Sequence, residues 1–129
     1  MKPLYLLFFL LVANLYSCQS QSTGKAVSPK VFSEQIKATK YPVVLDVRTP
    51  DEFAEGYIAN AVNLDFYKPD FQSQVARLNK EQTYFVYCKA GGRSASAADI
   101  MRKEGFKNVV DLDGGITAWE KEKLPIVKQ

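Results

Sequence analysis

The chain contains no histidine and only two cysteines, Cys18 and Cys88. Without histidine, neither a Cys–His nor a Ser–His pair can activate a nucleophile, so the commonest hydrolase arrangements are excluded. Two isolated cysteines also leave no zinc-type spacing, and no metal is expected. Charge of one sign is scarce as well. Lysine and arginine number 17 against 14 acidic residues, a net +3 that is too small and dispersed for nucleic-acid binding. The longest apolar run, Leu4–Leu15, falls short of the roughly 20 residues that span a bilayer comfortably. There is no internal repeat and no low-complexity run, and 129 residues allow one domain.

What is present divides into a leader and a domain. Lys2 followed by the Leu4–Leu15 run has the form of a signal peptide, assigned to residues 1–17. The run ends in Leu15-Tyr16-Ser17-Cys18, which resembles the lipobox of bacterial lipoproteins, with Tyr16 where a small residue is usual. That resemblance implies cleavage before Cys18 and lipidation of its thiol; ordinary secretion or an uncleaved anchor are the alternatives. Residues 18–26 then form a polar tether with a reach of about 15 Å, which holds residues 27–129 near a membrane. The expected location is the bacterial cell envelope, anchored in the membrane and facing the periplasm or exterior. Disulfides form in such compartments. With Cys18 lipidated, Cys88 is a free thiol; a Cys18–Cys88 disulfide is the competing reading.

From Val27 onward, helical and strand patterns alternate. Ser28 and Pro29 open a helix. "PVVLDV" (42–47) is a short, mostly apolar strand of the doubly buried kind, ending in charge at Asp46 and Arg48. Thr49, Pro50 and Glu52 make a capping box, and Gly56 closes that short helix. "AVNL" (61–64) reads as a strand, and 70–80 as a helix with Phe71, Val75 and Leu78 on one face. "TYFVY" (83–87) is a strand, followed by a helix ending at Gly105, a strand over 108–112 and a last helix over 114–122. This order gives an α/β fold: a parallel twisted sheet of four to five strands with helices on both faces. In such sheets ligands sit beyond the carboxyl ends of the strands. Asp46, Arg48 and Cys88 therefore share one rim.

The segment Cys88-Lys89-Ala90-Gly91-Gly92-Arg93-Ser94 carries the candidate chemistry. A strand ends at the cysteine, glycines turn the chain, and a helix starts near Arg93 or Ser94. Backbone N–H groups in such a turn form an anion-binding nest, and the helix start adds donors and partial positive charge. Lys89 and Arg93 add cations. The loop itself therefore favours thiolate over thiol. A buried, inert cysteine ending a core strand is the plainer reading, but glycines, cations, helix start and rim position together point to a reactive sulfur.

"CKAGGRS" resembles the active-site loop of the rhodanese family, C-x-x-G-x-R-S. "LDVRTPDEFAEGYIANAVNL" (45–64) resembles that family's D-V-R, E-F and G-H-I-x-G-A-x-N block, and "LDGGITAWEKEKLPI" (112–126) its closing L-x-G-G-x-x-x-W motif. Tyr57 and Asn60 depart from the usual histidine and glycine. The resemblance implies a sulfurtransferase without a dissociable cofactor. Cys88 takes the outer sulfur of a small anionic donor such as thiosulfate, becomes a persulfide, and passes the sulfur to a thiol or to cyanide. It implies that residues 89–94 cradle the persulfide, that Arg93 anchors the loop, and that Lys89 attracts the donor. It also implies that Asp46 helps hold the loop while Arg48 lies at the pocket edge, although a structural ion pair between these two is an equal reading. Trp119 is expected in the core, and the protein is expected as a monomer.

Two alternatives remain open. Cysteine phosphatases resemble this loop but place one residue more between cysteine and arginine than the four found here. A non-catalytic rhodanese-like module, carrying sulfur or binding a partner, is the other.

Overall fold

The computed structural model describes residues 24–129. The signal peptide, Cys18 and most of the tether lie outside the described residues. Among the described residues nine elements alternate: α1 (Pro29–Ala38), β1 (Pro42–Asp46), α2 (Pro50–Ala54), β2 (Val62–Asn63), α3 (Phe71–Ala76), β3 (Thr83–Tyr87), α4 (Gly92–Lys103), β4 (Asn108–Asp111) and α5 (Gly115–Lys121). The strands form one sheet in the order β2-β1-β3-β4, and every pairing is parallel. Val27 adds a single parallel bridge to Leu112 just beyond β4. The expected parallel α/β sheet is therefore present with four strands.

Local chemistry accounts for most boundaries. The Ser28 hydroxyl accepts from Val31 N at 3.3 Å with Pro29 in the first turn of α1. At α2 the Thr49–Glu52 capping box is complete. Asn60 adopts φ +66°, a left-handed conformation that asparagine tolerates better than most residues. Two elements are shorter than expected. The 70–80 helix stops at Ala76, and Asn79 beyond it accepts a hydrogen bond from the Tyr84 hydroxyl at 2.8 Å. Strand β2 retains two ladder residues because it pairs only with Leu45 and Asp46 at the end of β1.

Strand alternation builds two cores. Tyr84, Val86 and Cys88 face one with Phe71, Val75, Ala97 and Met101. Phe85 and Tyr87 face the other with Phe32, Leu112, Ile116 and Trp119. Trp119 is in that second core, its indole N–H donating to Pro125 O at 2.9 Å. Register aligns the strand ends: Asp46 is opposite Tyr87, and Val86 is opposite Asp111. From β1 the chain passes outward to β2 on one side, then returns to build β3 on the other. Such a reversal of strand order opens a crevice at the carboxyl edge, and Cys88 follows β3 directly into it.

Candidate active site

Cys88 is 1% exposed, and its neighbours wrap it closely. Gly91 N donates to Cys88 Sγ at 3.1 Å. The Cys88 thiol donates to Ser94 Oγ at 3.5 Å, and the Ser94 hydroxyl donates to Gly91 O at 3.2 Å. Gly91 has φ +111°, a conformation open chiefly to glycine, and this turn brings its N–H back onto the sulfur. Helix α4 starts at Gly92, slightly earlier than expected.

The loop rests on α5. Ile116 N donates to Cys88 O at 2.8 Å and Thr117 N donates to Lys89 O at 3.1 Å. The glycine pair Gly114 and Gly115, with φ +73° and +61°, begins α5 hard against this backbone. They form a turn and brace the loop from behind.

Arg93 anchors the other side. Its guanidinium donates to Glu52 Oε2 at 2.7 Å and Oε1 at 2.8 Å, and lies 5.3 Å from the Tyr67 ring centroid. Glu52 also accepts from Thr49 N and Oγ1. One carboxylate thus caps α2 and fixes the Cys88 loop. The capping-box pattern accounted for Glu52 completely in the sequence, so nothing there pointed to its second partner across 41 residues.

The Arg93 hydrogen bonds hold the Glu52 carboxyl down at about 2, against an opposing effect of burial. A carboxylate depressed by folding stabilises fully above its unfolded pKa of about 4.3, and that stability is lost as pH falls toward 2. Glu52→Gln is expected to loosen the Cys88 loop and to lower stability by about 1.5–3 kcal/mol, the scale of one lost charge-assisted hydrogen bond. Its stability deficit in urea unfolding should be constant above about pH 5 and shrink below that. A deficit that grows on acidification would refute the anchoring role.

Asp46 and Arg48 are brought together, but away from the sulfur. Arg48 Nε donates to both Asp46 oxygens at 3.0 Å, and its terminal nitrogen donates to Asp46 Oδ2 at 2.6 Å and Gly56 O at 2.7 Å. The pair is buried, at 0% and 5% exposure, and Arg48 lies 5.7 Å from the Tyr87 ring centroid. None of its hydrogen bonds reaches residues 88–94. Of the two readings, the structure shows the ion pair: it ties β1 to the turn after α2, while Glu52 and α5 make the hydrogen bonds to the loop. Arg48 also edges a neighbouring cavity of about 210 Å³, with Glu52 and Lys89, rather than the cleft over Cys88.

That cleft has a volume of about 470 Å³. Cys88, Lys89, Ala90 and Arg93 line it from the loop, and Phe66 and Tyr67 from the chain after β2. Sequence reasoning missed the two aromatics, which sit in an irregular segment without periodicity. Phe66 N donates to Val47 O at 3.1 Å, which holds that segment beside the rim. Asp51 is exposed on α2, and among the described residues no aspartate or glutamate lines the cleft over the sulfur.

A doubly covered parallel sheet with a cysteine cradled at its switch point defines a class of thiol-based α/β proteins. The match is closer than that: the rhodanese-like domain model covers residues 28–122, and the chain belongs to this family. It is 31% identical over 101 residues to a protein named "Sulfurtransferase" from Allochromatium vinosum, covering 78% of this chain and 92% of that one. It is 37% identical over 91 residues to the chloroplastic "Thiosulfate sulfurtransferase 16" of Arabidopsis thaliana, covering 63% of this chain and 76% of that one. A solved structure of a rhodanese-related protein from Thermoplasma volcanium superposes with a TM-score of 0.72 at 34% identity, covering 81% of this chain and 99% of the other.

Proposed function

We propose that this protein is a sulfurtransferase that carries a sulfane sulfur as a persulfide on Cys88. One observation carries the reading: Sγ accepts a backbone hydrogen bond from Gly91 at 3.1 Å and lies at the floor of an open cleft. Family membership and the sulfurtransferase relatives support it. The Cys88 thiolate attacks the outer sulfur of thiosulfate or an organic persulfide. A new S–S bond forms, the donor's S–S bond breaks, and sulfite or a thiolate leaves with the electron pair. A thiol or cyanide then attacks the outer sulfur, and Cys88 regains its thiolate. Backbone N–H groups of residues 89–94 are suited to the negative charge of the terminal sulfur. Exposed Lys89 suits an anionic donor.

The test is intact-mass measurement of the folded domain after exposure to thiosulfate, polysulfide or glutathione persulfide. One added sulfur, lost on treatment with cyanide or thiol, is expected. Absence of any adduct with all three donors would favour the non-catalytic module.

The domain is further proposed to be held at a bacterial membrane, in the cell envelope, by lipid on Cys18, and to act as a monomer. The Leu15–Cys18 sequence motivates the anchor. Mass spectrometry of the native protein should find an acylated Cys18 as its first residue; an unmodified N-terminus elsewhere would refute it.

A further inference from the structure

The cavity of about 210 Å³ next to the Cys88 cleft has walls that carry charge of both signs. Two of its charges are already matched, Arg48 by Asp46 and Glu52 by Arg93. The other four, Glu55, Glu120, Lys89 and Lys128, form no ion pair among the described residues. Two carboxylates and two ammonium groups thus line one small concavity without neutralising one another.

The backbone fixes where these groups start. Glu55 caps the end of α2. Glu120 lies one turn beyond Ile116 on α5, and both line the cavity. Lys89 O accepts from Thr117 N at 3.1 Å, and Ile116 N donates to Cys88 O at 2.8 Å. Lys128 follows an antiparallel bridge in which Tyr57 and Val127 exchange hydrogen bonds at 2.9 and 2.7 Å. Its stem packs on Gly56, where an added Cβ would lie 3.6 Å from Lys128 Cγ. The two cavities also adjoin. Lys89 lines both, and the Glu52–Arg93 ion pair has one partner in each.

An anion alone would meet the carboxylates here, and a cation alone would meet the lysines. A group that carries an ammonium and a carboxylate together answers both signs. We infer that this cavity is the subsite for the α-amino-acid head of a thiol acceptor. Glu55 and Glu120 receive its ammonium group, and Lys89 and Lys128 receive its carboxylate. The inference rests on the sulfurtransferase reading and names the class of its acceptor. The acceptor thiolate attacks the outer sulfur of the Cys88 persulfide and forms a new S–S bond. The bond from that sulfur to Cys88 breaks, Cys88 keeps the electron pair as thiolate, and the acceptor leaves as a persulfide. Cysteine and glutathione share such a head and differ in how far it lies from the sulfur.

Two measurements test it. In the first, KM for transfer from thiosulfate is compared between wild type, Glu120→Gln and Lys128→Gln, one thiol at a time, so that differences in thiol acidity cancel. Each variant should raise KM for cysteine or glutathione by up to about fivefold, the scale of one exposed ion pair. Cysteamine lacks the carboxylate, so only Glu120→Gln should raise its KM. 3-Mercaptopropionate lacks the ammonium group, so only Lys128→Gln should raise its KM. Values that move equally for all four thiols, or do not move, would overturn the subsite. The second measurement needs no sulfur transfer. S-methylcysteine and S-methylglutathione are titrated into wild type, and backbone amide signals are followed by NMR. Shifts at Glu55, Glu120 and Lys128 are expected with at least one of them, and which one binds gives the length of the acceptor. No shift with either would overturn the subsite. If those shifts appear but no donor leaves sulfur on Cys88, the subsite stands and the transfer reading falls.

Discussion

Cys88→Ser is expected to abolish sulfur transfer while leaving the fold intact. In the proposed mechanism the Cys88 sulfur forms the covalent intermediate, and serine cannot form a persulfide. Removal of a covalent nucleophile commonly costs roughly 10³-fold or more, so transfer from thiosulfate to cyanide should fall to the uncatalysed rate. The structural cost should be small. The side chain differs by one atom at a site already satisfied by Gly91 N and Ser94 Oγ, so the urea midpoint should move little. The same variant should take up no sulfur in the intact-mass measurement. Transfer by Cys88→Ser at the wild-type rate would end the persulfide mechanism, whatever the family.

Gly115→Ala is expected to damage both stability and activity, although Gly115 touches no substrate. A Cβ at this position would come within 2.4 Å of Lys89 C and O and 2.5 Å of Cys88 O. Those atoms are backbone, so no side-chain rotation relieves the clash. The residue also holds φ +61°, which costs a non-glycine residue about 1–2 kcal/mol. With the clash added, a loss of roughly 3 kcal/mol in urea unfolding is expected. The loop must move to make room, and a displacement of about 1 Å of catalytic groups can cost about 10²-fold in rate. Gly92→Ala is the matching control for stability. Nothing lies within 4 Å of a Cβ there, and alanine is the better helix former, so its urea midpoint should hold or rise. If Gly115→Ala is as stable as Gly92→Ala, the bracing of the loop by α5 is wrong.

These two residues also divide what could be read from sequence from what could not. The order of elements was legible because each strand is a short apolar run and most helices carry a local start or stop signal, such as Ser28-Pro29 or the Thr49–Glu52 box. Such signals act within a few residues and survive translation into one dimension. The same holds for the Cys88–Ser94 loop, whose glycines and helix start are contiguous. Cys88 could be singled out from neighbours alone.

Contacts between distant segments were a different matter. The family resemblance implied that Asp46 helps hold the loop, with an ion pair to Arg48 as the equal reading, and the hydrogen bonds of its carboxylate all go to Arg48. Glu52 was read as a cap and proved also to grip Arg93, because a carboxylate has lone pairs enough for both. Phe66 and Tyr67 gave no periodic signal, and they reach the cleft because Phe66 N pairs with Val47 O.

The sequence by itself determined the alternation of strands and helices, the parallel sheet, and the placement of Cys88 in a glycine loop at its rim. All three depend on local periodicity and contiguous turn residues. The tertiary structure decided what holds that cysteine in place: α5 behind its loop, Glu52 gripping Arg93 beside it, and the buried Ser94 hydroxyl against the sulfur. Those partners are set by strand order and register, which bring residues dozens of positions apart within hydrogen-bond distance. No local pattern records that.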